Sequence, residues 1–130
     1  MAGTARDRGG RHELGRRAEA AVADYLIAQG FAVVGRNVRV GRLEIDILAR
    51  RGGLAVAVEV RTRGAGSFEG AFESITPGKR KRTLLAVERL WHERLAAVRS
   101  IERVRIDAAA VTFTAGRTFV EYAAGVISGG

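Results

Sequence analysis

Leu43 to Arg63, LEIDILARRGGLAVAVEVRTR, is the stretch whose reading decides the fold. Two runs rich in Ile, Leu, Val and Ala flank Gly52-Gly53. A two-residue glycine connection suits a tight hairpin, because glycine accepts positive φ without a Cβ clash. Such a turn pairs Arg51 with Leu54, and counting outward sets Asp46 opposite Glu59 and Glu44 opposite Arg61. Side chains alternate along a strand, so these four charges share one face. Ile45, Ile47, Ala49, Leu54, Val56, Val58 and Val60 share the other. Carboxylates directly opposed on a ladder repel, so Asp46 and Glu59 need a cation between them. A divalent metal is one answer, and metal-assisted phosphodiester hydrolysis is a chemistry that uses it. Arg61 is the other: it lies across from Glu44 and diagonal to Asp46, and could neutralise both without metal or catalysis. On pattern alone the two readings weigh equally. Both depend on register, since a one-residue slip sends the two carboxylates to different faces.

Upstream, residues 1–10 are Gly- and Arg-rich and read as a flexible basic arm. Leu14, Ala18, Ala21, Val22, Tyr25 and Leu26 then recur at helical spacing, predicting a helix from about His12 to Gln29, with Gly30 as its stop. Glu19 sits at the edge of its apolar face, where position alone slightly favours water. Phe31 to Val38 reads as a strand, with a turn near Gly41. Downstream of the hairpin, Gly64 to Ser74 reads as a mobile loop beside the carboxylates. Thr76-Pro77 is a strong helix start, with Thr as N-cap and Pro in the first turn. Leu84, Leu85, Val87, Leu90, Trp91, Leu95 and Val98 carry an apolar stripe to about Arg99, with Trp91 as a core residue. Ile101 to Thr114 alternates as a strand with Val104, Ile106, Ala108 and Ala110 on one side. A short strand over 118–122 closes a single domain spanning 11–122, and 123–130 reads as a flexible tail.

The chain has 130 residues, enough for one domain with its own core. With 22 Lys plus Arg against 14 Asp plus Glu its net charge is +8, the electrostatic footprint of a polyanion binder. All but two of the basic residues are Arg, and a coding bias toward Arg, Ala and Gly gives the same balance without any ligand. Lys79, Arg80, Lys81 and Arg82 fall in the first turns of the second helix, where cations oppose the helix dipole at about 0.3–1 kcal/mol each. A phosphate backbone passing the helix start offsets that cost, whereas a solvated charge run leaves it in place. The absence of cysteine excludes disulfides, thiolate metal sites and thiol nucleophiles. No nucleotide-binding glycine motif is present, and His12 and His92 are isolated, which leaves histidine-based zinc sites and serine triads without support. No apolar run is long enough for a membrane span and no signal peptide is visible, so the cytoplasm is the expected location.

Gly15-Arg-Arg-Ala-Glu19 with Tyr25-Leu26, Glu44-Ile45-Asp46, Val58-Glu59-Val60-Arg61-Thr62-Arg63 and Ile75-Thr76-Pro77 leading to Lys79 together resemble the YraN-like proteins. These are small bacterial proteins of uncertain role placed in the restriction-endonuclease-like PD-(D/E)xK superfamily. The resemblance covers roughly Leu14 to Trp91. It implies an α/β fold with a restriction-endonuclease-like core (resolvase- or tRNA-endonuclease-like), a mixed central sheet flanked by helices. It also implies a metal site on the hairpin. Asp46 and Glu59 would hold Mg²⁺ or Mn²⁺ with the main-chain carbonyl of Val60, and Glu19 would lean in from the first helix as in Holliday-junction-resolvase-like relatives. The departure is Arg61, where YraN-like sequences usually carry Lys. Arg stays protonated, so it can steady a phosphate but is a poor base. Lys79 could offer a substitute amine, though nothing in the sequence positions it.

The expected function is therefore a Mg²⁺-dependent endonuclease-like protein acting on DNA, branched or flapped forms included. Glu19, Asp46, Glu59 and Arg61 form its expected catalytic set, and Arg63 with Lys79 to Arg82 its expected backbone contacts. The alternative is a non-catalytic nucleic-acid binder on a nuclease fold, and a protein–protein adaptor is the third class. The expected partner is nucleic acid, DNA first, without membrane association; a homodimer is compatible with the sequence.

Overall fold

The Gly52-Gly53 turn sets the hairpin as the sequence requires: Arg51 pairs with Leu54, and the ladder runs in register to Ile47↔Val58. Gly52 alone takes a positive φ, +59°, as a turn of type II′ demands at its first central residue. The structure is a computed structural model describing the backbone of residues 2–64, 70–71, 73 and 75–127, with side chains described from residue 12 to residue 126 within those ranges. Its elements in chain order are helix α1 (Ala2–Ala28), strands β1 (Ala32–Val40), β2 (Leu43–Arg51) and β3 (Leu54–Arg63), helix α2 (Pro77–Leu90) continued by a π-helical turn (Trp91–Leu95), then β4 (Arg103–Thr114) and β5 (Arg117–Ile127). The five strands form one mixed sheet in the order β1-β2-β3-β4-β5. Only β3 and β4 run parallel, the consequence of the crossover through α2.

Each helix covers one face. Ala18, Val22 and Leu26 of α1 pack on Ile47, Ala49, Val56, Val58, Ala109 and Val111. Ala86, Val87 and Leu90 of α2 pack on Ile45, Leu48, Ala55, Ala57 and Ile106. The second face explains why the hairpin is nearly all apolar: both surfaces of β3 are buried, as expected for a central strand with a parallel neighbour.

Several sequence expectations are corrected. Ile45 was expected beside Ile47, yet it packs on the α2 side while Ile47 packs on the α1 side. The strands exchange faces at Asn37 and Asp46, which fall between the Arg36↔Ile47 and Val38↔Ile45 pairs. Asn37 is in the left-handed region at φ +52°, a conformation that Asn tolerates better than most residues. Helix α1 begins at Ala2 and not near His12, so residues 2–10, expected as an arm, continue its backbone. The second helix ends its α-helical part at Leu90, and Leu85 and Val98 of the expected stripe are exposed. Trp91, expected in the core, is half-buried against the α2-side cluster. The closing strand runs to Ile127, beyond the expected 118–122, so residues 123–127 belong to the sheet. Of the loop expected over 64–74, residues 65–69, 72 and 74 lie outside the described residues, as do tail residues 128–130. No helix among the described residues is long and apolar enough to cross a membrane.

Candidate functional site

Strand β3 delivers Glu59 to the α2 face, where its side chain is 1% exposed. Two residues of α2 meet it. The Lys79 ammonium lies 2.8 Å from Glu59 Oε1, and the Thr83 hydroxyl donates to Oε2 at 3.3 Å. The Lys79 contact is an ion pair and not a well-aligned hydrogen bond, since Oε1 has no partner of good hydrogen-bond geometry. The placement follows from the helix. Thr76 caps α2 by accepting the Lys79 N–H at 3.2 Å, which fixes the first turn. Lys79 and Thr83 are then spaced four apart, on the stripe that continues through the buried Ala86 and Leu90.

Asp46 reaches the site from β2. The β2–β3 ladder ends at Ile47↔Val58, and beyond it the Asp46 carboxylate replaces the strand as a partner, accepting the Val60 N–H at 2.8 Å. A strand residue presents its N–H and C=O to the same side, so the Val60 carbonyl also faces this gap. Burial pushes the Glu59 carboxyl up to about 7, and the Asp46 charge adds to the rise against the pull of Lys79. Burial works against the Lys79 ammonium, but its close contact with Glu59 and the charges of Glu59 and Asp46 carry its pKa upward. The two carboxylates thus act on each other electrostatically, though not as a ladder pair.

Glu19, expected to lean slightly toward water, turns over the sheet with a side chain 14% exposed. Asn37 Nδ2 donates to it at 3.3 Å and Arg36 lies 3.9 Å away. Burial raises its pKa, with Asp46 and Glu44 adding, and the Asn37 bond and Arg36 opposing. Glu44, expected opposite Arg61, lies beyond the end of the β2–β3 ladder and stands opposite Arg39 in the β1–β2 register. Arg61 forms no ion pair with Asp46 or Glu44, so it does not close a metal-free network around them; Lys79 is the cation at Glu59. The carboxylates and the Val60 carbonyl are hard oxygen donors of the kind Mg²⁺ takes, and Mg²⁺ commonly uses one or two carboxylates plus water. No group of three or more His, Cys, Asp or Glu gathers around a common metal position among the described residues.

The expected phosphate contacts are redistributed. Arg63 pairs with Glu121 of β5 at 2.9 Å, and Arg80 donates to the Ile75 carbonyl at 3.1 Å. With Lys79 on Glu59, only Lys81 and Arg82 of the basic run project outward. Sequence reasoning missed the inward role of Lys79, although its spacing to Thr83, Ala86 and Leu90 was a usable signal. It also missed Asp107, fully buried on β4, which accepts from Arg105 at 2.8 and 2.9 Å, from Gly125 N–H at 2.8 Å and from the Tyr122 hydroxyl. Tyr122 in turn stacks on Tyr25 of α1 with ring centroids 4.9 Å apart. Asp107 anchors β5 and α1 and lies on the α1 face, away from the Lys79 pair. An apolar cleft of about 440 Å³ around Trp91 and Val104 lies at the other end of α2.

Fold and site define a small α/β protein with a buried acid–lysine pair where a mixed sheet parts beneath a helix start. The chain belongs to UPF0102, an uncharacterised protein family that matches residues 18–111. It is 55% identical over 103 residues to a UPF0102 protein of Sorangium cellulosum, covering 79% of this chain and 72% of the relative. A Streptomyces coelicolor UPF0102 protein is 39% identical over 127 residues, 96% of each chain, and one from Anaeromyxobacter dehalogenans is 38% identical over 122 residues, 92% of this chain and 87% of its own. The YraN-like resemblance read from the motifs holds at the level of this family.

Proposed function

We propose that this protein is a metal-dependent nuclease on a restriction-endonuclease-like PD-(D/E)xK fold, hydrolysing phosphodiester bonds in DNA, branched or flapped DNA included. The observation that carries the reading is Glu59, a carboxylate 1% exposed, facing an amine at 2.8 Å and perturbed by a second carboxylate, Asp46. Buried acid pairs with displaced pKa values concentrate at functional sites. The mixed sheet with one helix on each face is compatible with such a fold.

In this reading Asp46, Glu59 and the Val60 carbonyl hold Mg²⁺ or Mn²⁺, and Glu19 adds negative charge from α1. When bound, the metal supplies a Lewis acid for phosphorus chemistry and acidifies water. Lys79, not Arg61, is the amine of the site. Burial disfavours the charged ammonium, and its upward shift comes from Glu59 and Asp46, the groups that would hold the metal. Lys79 can then hold or release a proton near the attacking water, a task for which the ever-charged Arg61 is unsuited. Arg61 steadies the phosphate.

The test is cleavage of linear, flapped and four-way DNA with Mg²⁺ or Mn²⁺ by wild type, Asp46→Asn and Lys79→Met. Cleavage should vanish in the Asp46 variant and fall about 10²–10⁴-fold in the Lys79 variant. Absence of metal-dependent cleavage by wild type on every substrate would refute the reading. A second reading, a non-catalytic nucleic-acid binder, would then stand; it is favoured by Lys79 already neutralising Glu59 and by the lack of a third gathered acid among the described residues.

A further inference from the structure

Two clefts meet at Glu44. One, about 470 Å³, opens between α1 and the β1–β2 hairpin and is lined by His12, Arg16, Glu19, Arg39 and Glu44. The other, about 130 Å³, lies between the hairpin turn and α2 and is lined by Arg42, Glu44, Lys79, Arg82 and Thr83. Glu44 lines both, one on each side of it. Arg39 stands opposite Glu44 across the ladder, and Arg42 occupies the turn itself. The platform is fixed: Arg94 donates to the Arg39 carbonyl at 3.0 Å. Arg16, Arg39, Arg42 and Arg82 are exposed, and none forms an ion pair with a described residue. The basic residues read from sequence as phosphate contacts are, by contrast, largely committed elsewhere: Arg63 to Glu121, Lys79 to Glu59 and Arg80 to Ile75.

From this we infer that a nucleic-acid strand crosses the N-terminal end of β2, its phosphates held by Arg16 and Arg39 on the α1 side and by Arg42 and Arg82 on the α2 side. The inference deepens the nuclease reading and rests on it for the identity of the polymer. Cations on both flanks with carboxylates between them match a phosphodiester chain, whose charge recurs at every link; the flanks take successive phosphates and bring one to the acidic centre. The acidic centre repels that middle phosphate until a cation screens it, so the flanking arginines must supply the affinity.

The experiment measures binding of fluorescein-labelled single-stranded and duplex DNA by anisotropy in EDTA, across a salt series, for wild type, Arg39→Gln, Arg42→Gln, the double variant and Arg117→Gln. Arg117 is an exposed arginine at the β4–β5 turn whose loss changes net charge equally. Each of the first two changes should weaken binding severalfold and lower the slope of log affinity against log salt by about 0.7–0.9, with the double variant losing twice that. Arg117→Gln should leave the slope unchanged. An equal loss in Arg117→Gln, unchanged slopes in the hairpin variants, or no DNA binding by wild type would each overturn the inference. EDTA removes cleavage from the readout, so failure of the track and failure of the nuclease reading appear in separate experiments.

Discussion

Replacing Lys79 with Met keeps most of the side-chain volume and removes the ammonium that faces Glu59 at 2.8 Å. In EDTA the consequence for stability depends on pH in a definite direction. The Glu59 pKa is raised in the folded state from 4.5 to about 7, chiefly by burial. A raised folded pKa means its contribution is fully present below about 4.5 and is lost as pH climbs through about 7. Without Lys79 the principal influence that holds this value down is gone, so the variant keeps losing stability above pH 7, where wild type levels off. Below pH 7 Glu59 is largely protonated in both proteins and the two should differ little. Each pH unit between 7 and the variant's higher Glu59 pKa adds about 1.4 kcal/mol to the deficit, which should be plain at pH 9. Breaking a buried ion pair typically costs 3–5 kcal/mol; Lys79 is 36% exposed, which screens the pair and favours the lower end. Thermal or urea unfolding at pH 6 and pH 9 reads the difference directly. Adding Glu59→Gln should erase the pH dependence of the Lys79→Met effect. A deficit of the same size at both pH values would refute the reasoning, because it would mean that Lys79 acts through packing and not through the Glu59 charge.

Two further outcomes test the frame around the site. Burial raises the Tyr122 phenol, and its bond to Asp107 adds to this, so wild type should lose stability as pH rises above about 10, the phenol's ordinary value. Tyr122→Phe should remove that alkaline loss at a cost of about 1 kcal/mol at neutral pH, seen in unfolding curves. Gly52→Ala, at φ +59°, should cost about 1 kcal/mol or more in urea unfolding; an unchanged midpoint would mean that the turn does not set the hairpin.

The hairpin was legible because its determinants are local. Gly52-Gly53 fixes the turn, and a period of two tells which residues face a core. Thr76-Pro77 announced the start of α2 for the same reason. Family membership was legible too, since the motifs from Gly15 to Lys79 are short and specific in combination. Face assignment failed at Ile45, because the switch arises from a left-handed Asn37 on the neighbouring strand, and register counting assumes unbroken alternation. The expected Glu44–Arg61 pairing failed with it, because β2 leaves β3 at Asp46.

By itself, then, the chain determined the turn and inner register of its hairpin, the start of α2 and the acidic residues available for chemistry, all of which follow from spacing within a few residues. The tertiary structure alone decided that Lys79 pairs with Glu59, twenty positions away in sequence, and that Arg61 does not. The reason is geometric: the crossover lays the first turn of α2 over β3 beyond the end of the β2–β3 ladder, so the amine one turn before Thr83 meets the buried carboxylate.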